Sequence, residues 1–253
     1  MLPRALRNIR DGLIGLAFPE ECRLCRSPVE SWDDGVACAR CWDDPTLTRI
    51  LTGSVCAKCG APMAPTTAAY LTGGSGRFCG VCSSAPFTAA RACGVYSGAF
   101  EASILSLKNT PHICPRLRGI LRRILYEHHQ VLRSDIVVPV PLHRLRERQR
   151  GFNQAAIIAR LISRESGLRF DNHALSRVKP TERHRAGMDA SDRAHSVERA
   201  FVIARPELVN GASVLLVDDV YTTGSTIYAA TKCLLDAGAY QVKVLTIARV
   251  AGH

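Results

Sequence analysis

Aromatic side chains are scarce, at 6% of the 253 residues. A broad surface of stacked rings, of the kind that holds single-stranded nucleic acid, is therefore hard to assemble. Long apolar runs are missing as well. Leu13–Phe18 is short and interrupted by Gly15, far below the ~20 residues of a bilayer span. The same region lacks the small-residue cleavage site of an export signal. These absences argue against a membrane-spanning or secreted protein and lead us to expect a cytoplasmic one. Met1–Pro19, with Arg4, Arg7 and Arg10 ahead of that apolar stretch, reads as an amphipathic segment suited to a partner or to the inner face of a membrane. No nucleotide P-loop of the form G-x-x-x-x-G-K-S/T occurs, and no G-x-G-x-x-G follows a strand. The usual phosphate-binding signatures of triphosphate and dinucleotide sites are thus absent.

What is present describes a globular chain, 47% hydrophobic and 22% charged, long enough for one large domain or two ordinary ones. The net charge of +11 is uneven, about +1 over residues 1–90 and about +10 over residues 91–253. A field of that sign concentrates anionic ligands. Charge alone does not separate a phosphorylated metabolite from nucleic acid, or either from a solvated basic face.

Eight of the eleven cysteines fall in four C-x-x-C pairs: Cys22/Cys25, Cys38/Cys41, Cys56/Cys59 and Cys79/Cys82. Each turn sets two sulfurs on one side of a bend, and two such turns complete a closed tetrahedral site of the kind zinc takes in structural roles. A closed site leaves no position for a reacting water. Disulfides are disfavoured in a reducing compartment, and a thioredoxin-like site needs one pair beside a βαβ unit rather than four pairs. Two structural zinc ions are expected, with pairing in sequence order the simplest arrangement and interleaved pairing still open. Residues 20–85 are also rich in Gly, Pro, Ser and Asp, so metal binding has to supply folding free energy that a small apolar core cannot. Cys93, Cys114 and Cys233 have no partners at metal spacing and read as small buried hydrophobes.

Beyond residue 90 the texture changes. Ser134–Pro141 and Ser213–Val217 are short apolar runs, and Gln241–Ala248 is a third. Between them, Asn153–Gly167 carries Ala155, Ile158, Ala159 and Ile162 at helical spacing, and Gly224–Ala237 carries Ile227, Ala230 and Leu234. Alternating strands and helices predict right-handed βαβ units and a parallel sheet. Ligands of such sheets bind beyond the carboxyl ends of the strands, which singles out Pro139–Phe152 and Asp218–Ser225. In the second, V-L-L-V-D-D-V-Y-T-T-G-S-T from Val214 to Thr226, two carboxylates leave the strand end and a hydroxyl-rich turn opens a helix. Backbone N–H groups and hydroxyls at such a turn cradle a phosphate. The plain alternative is a strand–turn–helix using Asp and Thr as turn and cap residues.

Val214–Thr226 resembles the phosphoribosyl-pyrophosphate motif of type I phosphoribosyltransferases. V-V-P-V-P-L-H at Val137–His143 and R-G-F-N-Q at Arg150–Gln154 are similar to the ComF family of phosphoribosyltransferase-like proteins, which carry a cysteine-rich zinc ribbon ahead of the transferase domain. Gly94–Lys108 resembles that family's connecting segment. The chain departs from the family pattern at His184 and Ser196, on the acceptor side.

The resemblance implies an α/β fold: a parallel sheet flanked by helices with a small hood or flap, preceded by a double zinc ribbon. Its boundaries fall at residues 1–19, 20–88 and 89–253. It implies that Asp218 and Asp219 bind the ribose hydroxyls of 5-phosphoribosyl-1-pyrophosphate, and that Thr222, Thr223, Gly224, Ser225 and Thr226 hold its 5-phosphate. Val140, Pro141, Leu142 and His143 would face the pyrophosphate, with Arg144, Arg146, Arg148 and Arg150 nearby and Arg150 favoured. Magnesium would arrive with the ligand, and Lys179–Arg205 would close over it as a flap, the plain alternative being a solvated hairpin. The implied reaction is transfer of the phosphoribosyl group, or its sensing, with release of pyrophosphate, in a protein associated with DNA uptake. The rival expectation is a non-enzymatic accessory factor for transformation that meets single-stranded DNA or DNA-uptake proteins through the ribbon and the basic surface. Against that rival, the ribbon is nearly neutral and its candidate stacking rings are few: Trp32, Trp42, Tyr70 and Phe78. A ribbon serving as a docking or homodimer surface fits the composition equally well.

Overall fold

The computed structural model of the chain describes residues 20–63, 78–179 and 200–251. The Met1–Pro19 segment, Tyr70, His184, Ser196 and most of the flap expectation at Lys179–Arg205 lie outside these residues.

The strands among the described residues are β1 (Ala89–Val95), β2 (Ile136–Pro139), β3 (Arg169–Phe170), β4 (Leu175–Arg177), β5 (Phe201–Ile203), β6 (Ser213–Tyr221) and β7 (Gln241–Arg249). Five of them form a parallel sheet in the order β1-β7-β6-β2-β3. The short strands β4 and β5 pair antiparallel as a second, two-stranded sheet. Central strand β6 is apolar from Val214 to Val217 because both of its faces are covered. Val137, Leu215 and Leu245 enter one core, while Ile136, Leu216 and Val244 enter the other.

The helices are α1 (Ala39–Asp43), α2 (Gly98–Leu107), α3 (Pro115–Glu127), α4 (His129–Leu132), α5 (Arg144–Arg150), α6 (Gln154–Ser166) and α7 (Ser225–Asp236). In α6 the residues expected at the core face, Ala155, Ile158, Ala159 and Ile162, are all buried. The side chain of Asn153 caps the first turn, and Gly167 ends the helix with φ +73°. Helix α7 buries Ile227, Ala230 and Leu234 as its spacing predicted.

Two features differ from the sequence reading. The apolar run Ser134–Pro141 pairs as a strand only from Ile136 to Pro139. The acids do not leave the strand end: β6 pairs with β7 through Asp218 and on to Tyr221, so Asp218 and Asp219 project from pairing backbone and the turn starts later. Strand β1 is a third feature, and periodicity does not reveal it. Its A-A-R-A-C-G-V composition is small rather than β-branched, because the ring of Phe100 packs onto it. A Cβ added at Gly94 would lie 2.0 Å from that ring.

The four C-x-x-C turns do not gather into one separate body. Cys22, Cys38 and Cys41 share a core with Trp42, Phe100 and Ile104 on one face of the sheet. Cys56, Cys59 and Cys82 share the other with Phe87, Tyr221 and Ile227. Arg116 of α3 clamps the first turn pair, donating to Asp34 at 2.8 Å and to Asp43, with its guanidinium 5.6 Å from the Trp42 ring centre. Cys93 and Cys114 are core residues and Cys233 is half-buried.

Candidate functional site

At the carboxyl ends of β2 and β6 lies a cavity of about 800 Å³. The Val140–Leu142 turn, Asp218 and Asp219, and Thr222 and Thr226 all line it, as does Arg150. The turn is held from two sides. Val140 N donates to Val217 O at 2.8 Å, and the Asn153 side chain donates from Nδ2 to Val140 O at 3.0 Å while its Oδ1 accepts from Ala155 N at 3.0 Å. R-G-F-N-Q thus works as a unit. Gly151 ends α5 with φ +82°, and Asn153 starts α6 while locking the strand-end turn.

Not every expected residue reaches the cavity wall. His143 caps α5, its Nδ1 accepting from Leu145 N at 3.4 Å. Thr223 and Ser225 bond to each other through their hydroxyls at 3.1 Å and do not line the cavity. Gly224 is enclosed: at φ +82°, a Cβ there would sit 2.8 Å from the Tyr221 hydroxyl. A Gly224→Ala change should therefore cost about 1–2 kcal/mol of stability, read as a lowered thermal midpoint, and should also displace the turn.

Of the four arginines in α5, Arg146 and Arg150 line the cavity. They stand four apart on one helical face, and Arg144 and Arg148 are exposed elsewhere. We expect Arg146→Ala and Arg150→Ala each to weaken binding of a phosphorylated ligand at least about tenfold, the scale of one charged hydrogen bond. Arg144→Ala should change it little; calorimetric titration of the three variants checks this.

Sequence reading missed Arg177, Tyr96, Lys108 and Asn109, which also line the cavity. Arg177 comes from β4, its guanidinium 5.2 Å from the Phe201 ring centre. Lys108 and Asn109 follow the end of α2. Only the helical spacing of Arg146 and Arg150 offered a local signal; the others arrive from distant elements.

The electrostatics are those of an anion site with an acidic floor. Burial, and next the neighbouring Asp219, push the Asp218 carboxyl well above the usual carboxylate range, while Arg177 pulls it back. Asp218 is half-buried and lines the cavity. Asp218 Oδ1 accepts from Asp219 N at 2.9 Å, and Asp219 Oδ1 from Val220 N at 2.8 Å. Burial and then Arg146 lower Arg150, with Asp219 opposing. Two acids and at least three cations therefore face one another across the space a ligand would fill.

The cysteines form two groups in sequence order, Cys22/Cys25/Cys38/Cys41 and Cys56/Cys59/Cys79/Cys82, each with all four sulfurs within 4.8 Å of one another. Sγ–Sγ distances of 3.6 Å (Cys25–Cys38), 3.6 Å (Cys56–Cys82) and 3.4 Å (Cys59–Cys79) are far from the ~2.05 Å of a disulfide. They approach the ~3.8 Å edge of a tetrahedron with ~2.3 Å zinc–sulfur bonds. Backbone N–H groups of Cys59 and Cys79 point at Cys56 Sγ, at 3.5 and 3.3 Å. Although burial opposes it, these donors bring the Cys56 thiol down to about 6, which suits a thiolate ligand. Both donor sets fit zinc. Of the ribbon aromatics, Trp42 is buried while Trp32 and Phe78 are exposed.

Comparison with known proteins agrees with this geometry. A double zinc ribbon domain matches residues 13–83 and a phosphoribosyl transferase domain matches residues 115–252. The chain belongs to the ComF family. Competence protein F of Haemophilus influenzae is 35% identical over 137 residues, covering 51% of this chain and 59% of that protein. Competence protein ComFC of Bacillus subtilis is 36% identical over 118 residues, covering 45% and 44%. The chain thus spans only about half the length of these two. DNA utilization protein YhgH of Escherichia coli is 30% identical over 241 residues, covering 92% of this chain and 99% of that one. Among the described residues, no helix of this ComF protein is long and apolar enough to cross a membrane.

Proposed function

We propose that this ComF protein binds 5-phosphoribosyl-1-pyrophosphate with magnesium in the cavity at the ends of β2 and β6, and that it acts in the handling of DNA. The observation that carries the reading is the convergence of Asp218 and Asp219, of Thr222 and Thr226 at the two ends of their turn, and of the Val140–Leu142 turn on one cavity beside Arg146, Arg150 and Arg177. Adjacent carboxylates suit a vicinal diol, because each hydroxyl donates to one acid. A hydroxyl-rich turn opening α7 suits a terminal phosphate. The arginines and Lys108 suit a pyrophosphate at the opposite end.

In the reaction this arrangement supports, the bond from ribose C1 to the pyrophosphate oxygen breaks and a bond from C1 to an amine or other base forms. Asp218 and Asp219 hold the ring and face the positive charge that develops on it. Arg150 and Arg146 neutralise the departing pyrophosphate. Magnesium, when bound, adds positive charge to the pyrophosphate. Zinc in both four-cysteine groups is structural, since no ligand position is left open. The competence and DNA utilization names of the relatives support a role in DNA uptake or use.

The reading is tested by equilibrium binding of 5-phosphoribosyl-1-pyrophosphate to the zinc-loaded full chain. Saturable binding that requires magnesium and is competed by inorganic pyrophosphate is expected. Absence of binding at millimolar ligand overturns it.

A further inference from the structure

The Cys56/Cys59/Cys79/Cys82 group is joined to the sheet by polar contacts as well as by packing. Ala90 N of β1 donates to Lys58 O at 2.6 Å, and Arg91 Nη1 donates to Ala57 O at 3.1 Å. The chain approaches so closely that a Cβ on Gly60 would lie 2.6 Å from Ala90 O. From β7, Arg249 reaches the metal knuckle itself, its Nη1 donating to Cys59 O at 2.6 Å. Arg249 is 2% exposed and among the largest fully buried side chains.

Burying a guanidinium is expensive unless negative charge faces it. A divalent ion held by four thiolates carries a net charge of −2, and Arg91 and Arg249 set two positive charges against it. Both cysteine groups have the ligands for zinc, but this one is flanked by arginines from the core of the sheet. The first group packs against Trp42 and Phe100 on the sheet's other face, and the arginine facing it, Arg40, is exposed and belongs to the ribbon itself.

Arg249 also extends toward the phosphate turn. Its guanidinium lies 5.0 Å from the ring centre of Tyr221, an arrangement that fixes both groups when desolvated. The Tyr221 hydroxyl sits against Gly224, where an added Cβ would be 2.8 Å away. Tyr221 ends β6 and Gly224 caps α7, so Tyr221 directly precedes, and Gly224 belongs to, the Thr222–Thr226 turn assigned to the 5-phosphate. The backbone closes the same unit: Tyr96 N donates to Arg249 O at 2.7 Å, and Val250 N to Tyr221 O at 2.9 Å.

We propose that Arg249 is a positioning residue that couples the second four-cysteine site to the phosphate turn through Tyr221, so that metal occupancy there and phosphoribosyl-pyrophosphate binding favour each other. Loss of the metal releases the Cys59 carbonyl and removes the negative charge facing Arg249. Arg249 then no longer holds the Tyr221 ring, and the turn loses its wall. The inference rests on the ligand reading above. Because coupling between two sites is reciprocal, the ligand must in turn retain the metal, and only the metal of the second site.

The test is equilibrium competition for zinc between a chromophoric chelator and the full chain loaded with two equivalents, with and without saturating 5-phosphoribosyl-1-pyrophosphate and magnesium. Calorimetry of the same samples reports ligand binding. In wild type the ligand should raise the apparent affinity for one equivalent at least about fivefold, the low end of typical coupling, and leave the other unchanged. Arg249→Met and Tyr221→Leu, which removes the ring, should still bind ligand, more weakly, and lose that selective protection. If wild type binds no ligand, the ligand reading fails and the coupling fails with it. If wild type binds ligand but zinc affinity is unaffected, or both equivalents are protected equally, the coupling is overturned and the ligand reading stands. Full protection retained in Tyr221→Leu overturns the route through the ring.

Discussion

Replacing Asp218 and Asp219 together with asparagine is expected to abolish the stabilisation that 5-phosphoribosyl-1-pyrophosphate and magnesium give the wild-type protein. At a hundred times its Kd, a ligand adds about 2.7 kcal/mol to the folded state, a rise of roughly 5–10 °C in midpoint for a chain of this size. Two charged acceptors are removed from two hydroxyls in the variant. At about 1.5–3 kcal/mol for each hydrogen bond to a charged group, affinity falls at least about a hundredfold and the rise disappears. The unliganded protein should respond in the opposite direction. Burial and Asp219 raise Asp218 well above its usual range, so the ionised form is disfavoured by folding. For an acid shifted upward, the favourable contribution is complete below the unfolded value of about 4 and is lost as pH climbs through the folded value. In a single Asp218→Asn variant the side chain carries no charge at any pH. That variant should match wild type near pH ~4 and exceed its midpoint at neutral pH, a gain in stability at the expense of the site. Thermal unfolding across pH, with and without ligand, reads both effects. A single variant that is less stable than wild type at neutral pH, or a double variant that keeps the ligand shift, contradicts the role assigned to the pair.

The legible parts of this protein are those whose physics is local. A C-x-x-C turn fixes two sulfurs within four residues, so both metal groups could be read directly, and the structure settles their pairing as sequential. Helices α6 and α7 announce their buried faces because a single spacing rule governs them. Strand β6 shows as an unbroken V-L-L-V run because both faces are covered. Strand β1 escapes notice because its composition answers to Phe100 and to the metal knuckle rather than to strand propensity, which is also why it carries a buried arginine. The site divides in the same way. Asp218, Asp219 and the turn after them lie in one continuous segment and are visible. Arg177, Tyr96 and Lys108 join them only through the tertiary fold, which brings β4 of the two-stranded sheet and the segments after β1 and α2 to the end of β6. The local pattern puts the acids past the strand end, whereas pairing with β7 continues through them. A strand's end is set by its neighbour's length, which no local pattern encodes.

Stripping both zinc ions should unfold the protein cooperatively, not merely release an amino-terminal ribbon from an intact transferase sheet. Zinc bound by four thiolates contributes on the order of 10–16 kcal/mol in small metal-dependent folds, as large as the whole stability of an ordinary domain, about 5–15 kcal/mol. What decides the outcome is where that energy acts. Cys22, Cys38 and Cys41 are inside the core that contains Phe100 and Leu121, and Cys56, Cys59 and Cys82 are inside the core that contains Tyr221 and Ile227. When either group opens, the sheet loses cover on one face, along with Arg116 from Asp34 or Arg249 from Cys59. The two groups should not be equivalent to single substitutions. Cys25 is partly exposed whereas Cys56 is fully buried and accepts two backbone N–H groups. Cys56→Ser should therefore lower the midpoint more than Cys25→Ser. Circular dichroism and limited proteolysis with a strong chelator read the result. A single transition that shifts as a whole, with residues across β1, β6 and β7 becoming cleavable together, is expected. Survival of a protease-resistant, fully cooperative fragment beginning near residue 89 would show that the ribbon only decorates the sheet. The packing of both cysteine groups into the two cores of the sheet predicts the opposite.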